Sequence, residues 1–171
     1  MRRPVIRFDS EAFETMEAEA VAAKNGLETG GILLGSDDAG TDETHVTVAG
    51  GPGPNAHRRS DFFCRDLAHA VRLSDEAYAR DGSVWVGEWH THPGSQVRPS
   101  RRDLRTYRGF LEDPALGFEH FGSIILTSED GWRSVRCTAW AISLPLGGGQ
   151  GRIRVRSAVV EVGAPNVRLE R

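Results

Sequence analysis

Apolar and polar positions along the chain change their period several times. Residues 4–8 form a short extended run, and from Ser10 the spacing turns helical. Ser10 reads as an N-cap before Glu11, with Phe13, Met16, Ala20 and Val21 on one face. Asn25-Gly26 supplies the stop. Residues 28–35 predict an apolar strand with small residues at its start, and 45–49 alternate as its partner across a polar turn at 36–42. The run Gly50-Gly51-Pro52-Gly53-Pro54-Asn55 cannot sustain a ladder and is a loop. A further strand is expected at 60–64. A helix over 66–78 places Leu67, Ala70, Val71 and Ala77 on one side and ends at Asp81-Gly82. Residues 84–91 predict a strand, and 100–113 a helix with Leu104, Tyr107, Phe110 and Leu111 apolar, stopped by Pro114. Three late strands follow at 122–127, 134–144 and 152–162, the last two joined by the Gly-rich segment 147–151. Strands interleaved with about three helices imply an α/β fold, a mixed β-sheet flanked by helices. With no repeat and no linker, 1–171 reads as a single domain, its core about 1–143 and a C-terminal hairpin strand at about 152–162.

Composition narrows the class without naming a chemistry. The chain has 171 residues, 26% charged, with a net charge of -3, which excludes a strongly basic nucleic-acid binder. No apolar run approaches the roughly 20 residues that cross a bilayer, so no membrane is expected. Arg2, Arg3, Arg7 and Asp9 interrupt any leader-like apolar stretch. Cys64 and Cys137 lie far apart and form no Cys-x-x-Cys unit, which points to a reducing, cytoplasmic setting.

The informative stretch is 90–103. His90 and His92 alternate with Thr91 on a strand, so both imidazoles project from the same side. Pro93-Gly94 breaks the strand. A helix starting at Ser100 carries Asp103 in its first turn, facing back towards the strand end. Two imidazoles and one carboxylate make three ligands of a tetrahedral zinc with a fourth position open, the catalytic rather than the structural pattern. Each piece has an ordinary reading as well. Ser100-x-x-Asp103 fits a capping box, and a His-x-His pair often sits on a surface. The combination His-x-His-x7-Ser-x2-Asp arises by chance about once in a thousand sequences of this composition.

That combination, with Glu28 upstream in Glu28-Thr29-Gly30-Gly31-Ile32-Leu33-Leu34-Gly35, resembles the signature of the JAMM (JAB, or MPN-plus) zinc metalloproteases over about residues 1–143. Thr91 stands where many relatives have Ser. The resemblance implies a JAB/MPN, cytidine-deaminase-like architecture and one zinc per chain on His90, His92 and Asp103. It also implies Glu28 as general acid/base and Ser100 as a hydrogen-bond donor to the developing oxyanion. Gly51-Pro52-Gly53-Pro54-Asn55-Ala56, with Phe62 and Asp66 downstream, is similar to a segment of bacterial stand-alone JAB proteases that sit beside ubiquitin-activating and ubiquitin-conjugating homologues in antiphage operons. Its ordinary reading is a turn between strands.

The expectation is therefore an isopeptidase acting after the C-terminus of a bacterial ubiquitin-like modifier, or of a conjugated nucleotidyltransferase (CD-NTase) in a CBASS-type system. Operon-encoded activating and conjugating enzymes are the expected partners. A JAMM enzyme that processes a sulfur-carrier protein is the alternative, and a non-catalytic MPN-type scaffold is the rival of another class. Loops 50–60 and 92–99 are expected to hold the substrate's tail by strand addition. Glu88 shares the histidines' side of the strand and could support them, but reads rather as a buried or edge carboxylate with no catalytic part, and Cys64 as a small buried cysteine. His45, His57, His69 and His120 read as surface or packing residues, Trp89, Ser95 and Arg98 as residues of the rim, and Leu146-Gly147-Gly148 as a hairpin loop.

Overall fold

The computed structural model describes residues 2–23, 26–38, 40–145 and 152–163. The predicted Gly-rich connection at 147–151 and Leu146 lie outside them, as does Asn25; the first helix ends at Ala22 with Ala23 as its C-cap, and Gly26, φ +71°, lies three residues beyond that cap.

Nine strands and three helices alternate among the described residues: β1 (Val5–Asp9), α1 (Ser10–Ala22), β2 (Gly30–Asp38), β3 (Glu43–Ala49), β4 (His57–Arg59), β5 (Phe62–Cys64), α2 (Leu67–Asp81), β6 (Val84–His92), α3 (Arg101–Glu112), β7 (His120–Thr127), β8 (Arg136–Ser143) and β9 (Arg154–Gly163). Two details differ from the sequence pattern. Ser10 is the first helical residue rather than the cap: Asp9 holds the N-cap position, without a side-chain cap bond, and the Ser10 hydroxyl donates to the Gly163 carbonyl. The strand expected at 60–64 is shortened to β5, which pairs with β4 in a hairpin of two three-residue strands.

The large sheet is more than an open layer. Its strands run β1-β3-β2-β6-β7-β8-β9, and β9 pairs in parallel with β1, so the sheet closes on itself. β6 lies between antiparallel β2 and parallel β7. One side of this ring carries Phe8, Leu33, Val46, Trp89, Ile124 and Leu126, packed with Ala12, Met16 and Ala20 of α1. On the other side α2 covers Ile32 and Leu34 through Ala70 and Ala77, and α3 packs Tyr107 and Leu111 on Phe121 and Ile142. Trp85 meets Phe110, Phe118 and Phe121 edge-on at centroid separations of 5.0–5.6 Å, joining the two outer clusters.

β6 thus has a buried face on either side, which corrects the reading of Trp89 as a rim residue. It is 1% exposed, and its indole N–H donates to the Gly50 carbonyl at 2.8 Å. Two carbonyls, Gly50 O and Trp89 O, explain the glycines that open β2. A Cβ on Gly31 would stand 1.8 Å from Gly50 O, and one on Gly30 2.3 Å from Trp89 O. Only glycines let β2, β6 and the 50–51 loop approach this closely.

Candidate metal centre and its cleft

β6 ends in the parallel register His90↔Ile125, His92↔Thr127 and leaves the sheet at Pro93. With period two, Glu88, His90 and His92 share the face that α2 and α3 flank. Ser100 caps α3: its hydroxyl oxygen accepts from Asp103 N at 3.2 Å, while an Asp103 carboxylate oxygen accepts from Ser100 N at 2.6 Å. The capping box is therefore real, and it also aims Asp103 back at the strand end. The two histidine Nε2 atoms lie 2.9 Å apart, and Asp103 Oδ2 lies 3.5 Å from His90 Nε2 and 3.6 Å from His92 Nε2. One atom from each residue falls within 4.8 Å of the others, the only such group among the described residues.

The donor set fits a zinc ion. His92 Nδ1 donates to the Gln96 carbonyl at 2.7 Å, which leaves its Nε2 lone pair directed into the cluster. Both imidazoles are buried, at 4% and 7% exposure, so a cation shared among them would be shielded from bulk water. Burial alone would raise the Asp103 carboxyl, yet the adjoining His90 and His92 side chains hold it far below the ordinary carboxylate range. The carboxylate is thus ionised and available at neutral pH.

Glu28 lines the same cleft, about 690 Å³ in volume, with the three cluster residues and Ser100. Its placement comes from backbone clamps on both sides. Glu28 N donates to Arg59 O at 2.7 Å, and the neighbouring Thr29 N donates to the Thr91 hydroxyl at 2.9 Å, while Thr91 N returns a bond to Thr29 O at 2.8 Å. Thr91 faces away from the cluster and ties the approach to β2 onto β6. Partial burial pushes the Glu28 carboxyl up, and the neighbouring His90 and His92 pull it back in part.

The cleft has a second region that the sequence did not reveal. Arg65 donates to Glu88 at 2.7 Å and lies over the faces of Trp85, at 5.0 Å, and Phe110, at 5.8 Å. Glu88 is therefore a paired wall residue, held by Arg65 as a largely buried carboxylate. Arg65 sits in no motif, and only the hairpin's fold brings it there. Cys64, expected to be buried, is exposed on β5 at the cleft. Three residues on a short hairpin provide no second layer to cover it. The more sheltered thiol is rather that of Cys137, half-buried and pushed up to about 12 by that burial.

The segment 51–56 acts as a clasp at the base of that hairpin. Asn55 donates through its backbone and side-chain amides to Asp66 Oδ2, at 3.2 and 3.1 Å, and Asp66 N donates to Pro52 O at 2.9 Å. Gly53 has φ +82°, and a Cβ there would meet Asp66 Cβ at 2.5 Å. The turn reading of this motif holds structurally, and its effect is to seat β4–β5 against the cleft. Of the rim candidates, Ser95 borders the cleft, while Arg98 turns away to lie over Trp140 at 5.0 Å. His45 pairs with Asp9, His120 with Asp37, and His69 with Arg72, all away from the metal cluster.

Comparison with known proteins agrees with this geometry. The chain is 34% identical over 103 residues to a protein of Enterobacter hormaechei subsp. hoffmannii named "CD-NTase/cGAS isopeptidase". That match covers 59% of this chain and 55% of the other, so it spans about half the length of that relative. Among solved structures, protein DSY2949 of Desulfitobacterium hafniense superposes with a TM-score of 0.66 at 19% identity, over 97% of this chain and 99% of that one. A protein of Salinibacter ruber gives 0.53 at 21% identity, over 96% and 95%. These two likenesses concern the fold. The profile described as "Prokaryotic homologs of the JAB domain" matches residues 10–138, three-quarters of the sequence and every residue of the cluster, and the chain belongs to that prokaryotic JAB family.

Proposed function

We propose that this protein is a zinc-dependent isopeptidase of the JAMM type, hydrolysing the bond after the C-terminal residue of a conjugated protein. The observation that carries the reading is the convergence of His90, His92 and Asp103 in a cleft shared with Glu28 and Ser100. A zinc ion held by those three residues supplies Lewis acidity and brings the pKa of water down to about 7. Glu28 accepts the proton of the attacking water and delivers it to the departing amine. Its partly buried, raised carboxyl suits that exchange better than an ordinary glutamate. Ser100 uses its hydroxyl oxygen as the cap acceptor, which leaves its O–H to donate to the oxyanion, a contribution typically of about 3 kcal/mol.

The substrate class follows from the cleft's shape and from the named relative. The large sheet is closed, so β4–β5 offers the free strand edges among the described residues. The cleft is lined by Phe62, Phe63 and Cys64 of β5, and an extended C-terminal tail adds there as a further strand, its last carbonyl carried to the cluster. A modifier of ubiquitin-like type or a conjugated CD-NTase supplies such a tail, and the relative's name favours the latter. Activating and conjugating enzymes encoded nearby are the partners in this reading, and the cytoplasm is its setting.

The test is zinc content per folded chain together with cleavage of a fusion carrying a CD-NTase C-terminus. Wild type is expected to hold one zinc and to cleave. Glu28→Gln keeps the zinc and loses at least about 100-fold in turnover, and His92→Ala loses the metal. A Glu28→Gln enzyme at wild-type rate removes Glu28 from the mechanism. A folded wild type that takes up no zinc when it is supplied overturns the reading in favour of a scaffold.

A further inference from the structure

His92 keeps its tautomer only while the Gln96 carbonyl stays where it is, and the structure shows what holds that carbonyl. The next carbonyl along the chain, Val97 O, accepts two side-chain hydrogen bonds from β8, a strand that contributes nothing to the metal cluster. Thr138 Oγ1 donates at 2.7 Å and Trp140 Nε1 at 2.9 Å. The two residues are two apart on β8 and so present one face. Arg98, the following residue, lies over the Trp140 ring at 5.0 Å, and Gln96 Nε2 donates to Arg98 O at 3.1 Å. Residues 96–98 are thereby fixed on β8 through main chain, side chain and ring. Two residues beyond lies Ser100, whose cap aims Asp103.

We infer that Thr138 and Trp140 are positioning residues of the metal centre, acting through the Val97 carbonyl to hold Gln96 O against His92 Nδ1–H. The inference rests on the zinc reading for its consequence but not for its geometry. Neither residue touches the cluster. Without their two bonds, the 96–97 main chain is free to turn and His92 Nδ1 loses its acceptor. The imidazole then samples both tautomers, and only one of them offers Nε2 to a metal. Partners of this indirect kind alter metal affinity by roughly 10–100-fold.

The experiment uses the full chain, stripped of metal, as wild type, Thr138→Val, Trp140→Phe, the double variant, and Thr138→Ser as the conservative control. Nitrogen-15 NMR of the imidazoles, above the range where histidine titrates, reports the His92 tautomer without any metal. Competition with a chromophoric chelator then gives the zinc affinity. The wild type is expected to show one Nδ1–H tautomer. The double variant is expected to show averaged nitrogen shifts and zinc affinity weaker by at least about 10-fold, with Thr138→Ser close to wild type. A folded double variant with the wild-type tautomer and affinity overturns the inference, even if its melting temperature falls, because lowered stability alone describes a structural role. Should the double variant fail to fold, unchanged shifts in both single variants overturn it equally. A wild type that binds no zinc while the tautomer still depends on Thr138 and Trp140 would end the zinc reading and leave the positional linkage standing.

Discussion

Gly31→Ala offers a stringent test of how the site is held. The new Cβ would stand 1.8 Å from Gly50 O and 2.6 Å from its carbonyl carbon, against an ordinary contact of about 3.5 Å. Relief requires β2 or the 50–51 loop to move by more than an ångström. The loop is poorly placed to do so, because Gly50 O also receives the Trp89 indole at 2.8 Å and Gly50 N donates to Ile32 O at 2.8 Å. Overpacking of this kind costs about 1–3 kcal/mol, and two anchored hydrogen bonds put Gly31 at the upper end. About 3 kcal/mol lowers the melting temperature by roughly 6–12 °C for a chain of this size. If β2 moves instead, Glu28, three residues upstream, is displaced with it, and a 1 Å misplacement costs on the order of 100-fold in turnover. Differential scanning calorimetry gives the first quantity and cleavage of a fused substrate the second. Gly109 on α3 has open space where a Cβ would go, so Gly109→Ala serves as the control and should stabilise by about 0.5–1 kcal/mol. A Gly31→Ala protein that melts within about 2 °C of wild type would show that the close approach of β2 to Gly50 is not a constraint, and the explanation of the paired glycines would fall.

Three further outcomes follow from the cleft and its surroundings. Arg65→Met leaves the Glu88 carboxylate, 14% exposed, without its partner, and should destabilise by about 2–3 kcal/mol in urea titration. Adding Glu88→Gln should recover part of this, and a loss below about 0.5 kcal/mol would mean that the pair is solvated. Asp130 accepts from Ser134 N, the Ser134 and Ser128 hydroxyls and Arg133 N, which lowers its carboxyl to about 2, below the unfolded value near 3.9. Its hold on the 128–134 turn is therefore complete above about pH 4 and lost as pH falls towards 2, and Asp130→Asn should remove that dependence from the Ser134 amide exchange rate. With Cys64 exposed and the half-buried Cys137 thiol pushed up to about 12, a maleimide at neutral pH should modify Cys64 far faster, and comparable labelling of Cys137 by mass spectrometry would contradict its raised thiol.

Much of this was legible in the sequence because local rules and function coincide there. His90 and His92 share a side through strand period, and Ser100 and Asp103 share a turn through helix capping, so the spacing carries the geometry. Trp89 was misread because alternation distinguishes two faces without saying that both are buried. That fact depends on β6 lying mid-sheet with helices on either side. Cys64 was misread for the opposite reason, since a hairpin two strands wide has little depth. Arg65, Thr138 and Trp140 carry no pattern, because their roles come from contacts across 23 to 43 sequence positions. The closed ring was equally hidden, since parallel pairing of β1 with β9 leaves no local mark in either.

That pairing has a consequence for the order in which the molecule can form. The residues of the cluster and its proposed acid/base all lie by position 103, and the family profile ends at 138, yet β1 waits for residues 159–163 to fill its second edge. Until β9 is in place, with 154–158 along β8 and 159–163 along β1, both strands present a row of unpaired main-chain groups, the kind of template that recruits other chains. Closure across some 154 positions is also the slow type of contact, late in folding by loop entropy. β9 is accordingly the latch of the sheet, the strand whose arrival covers both open edges at once.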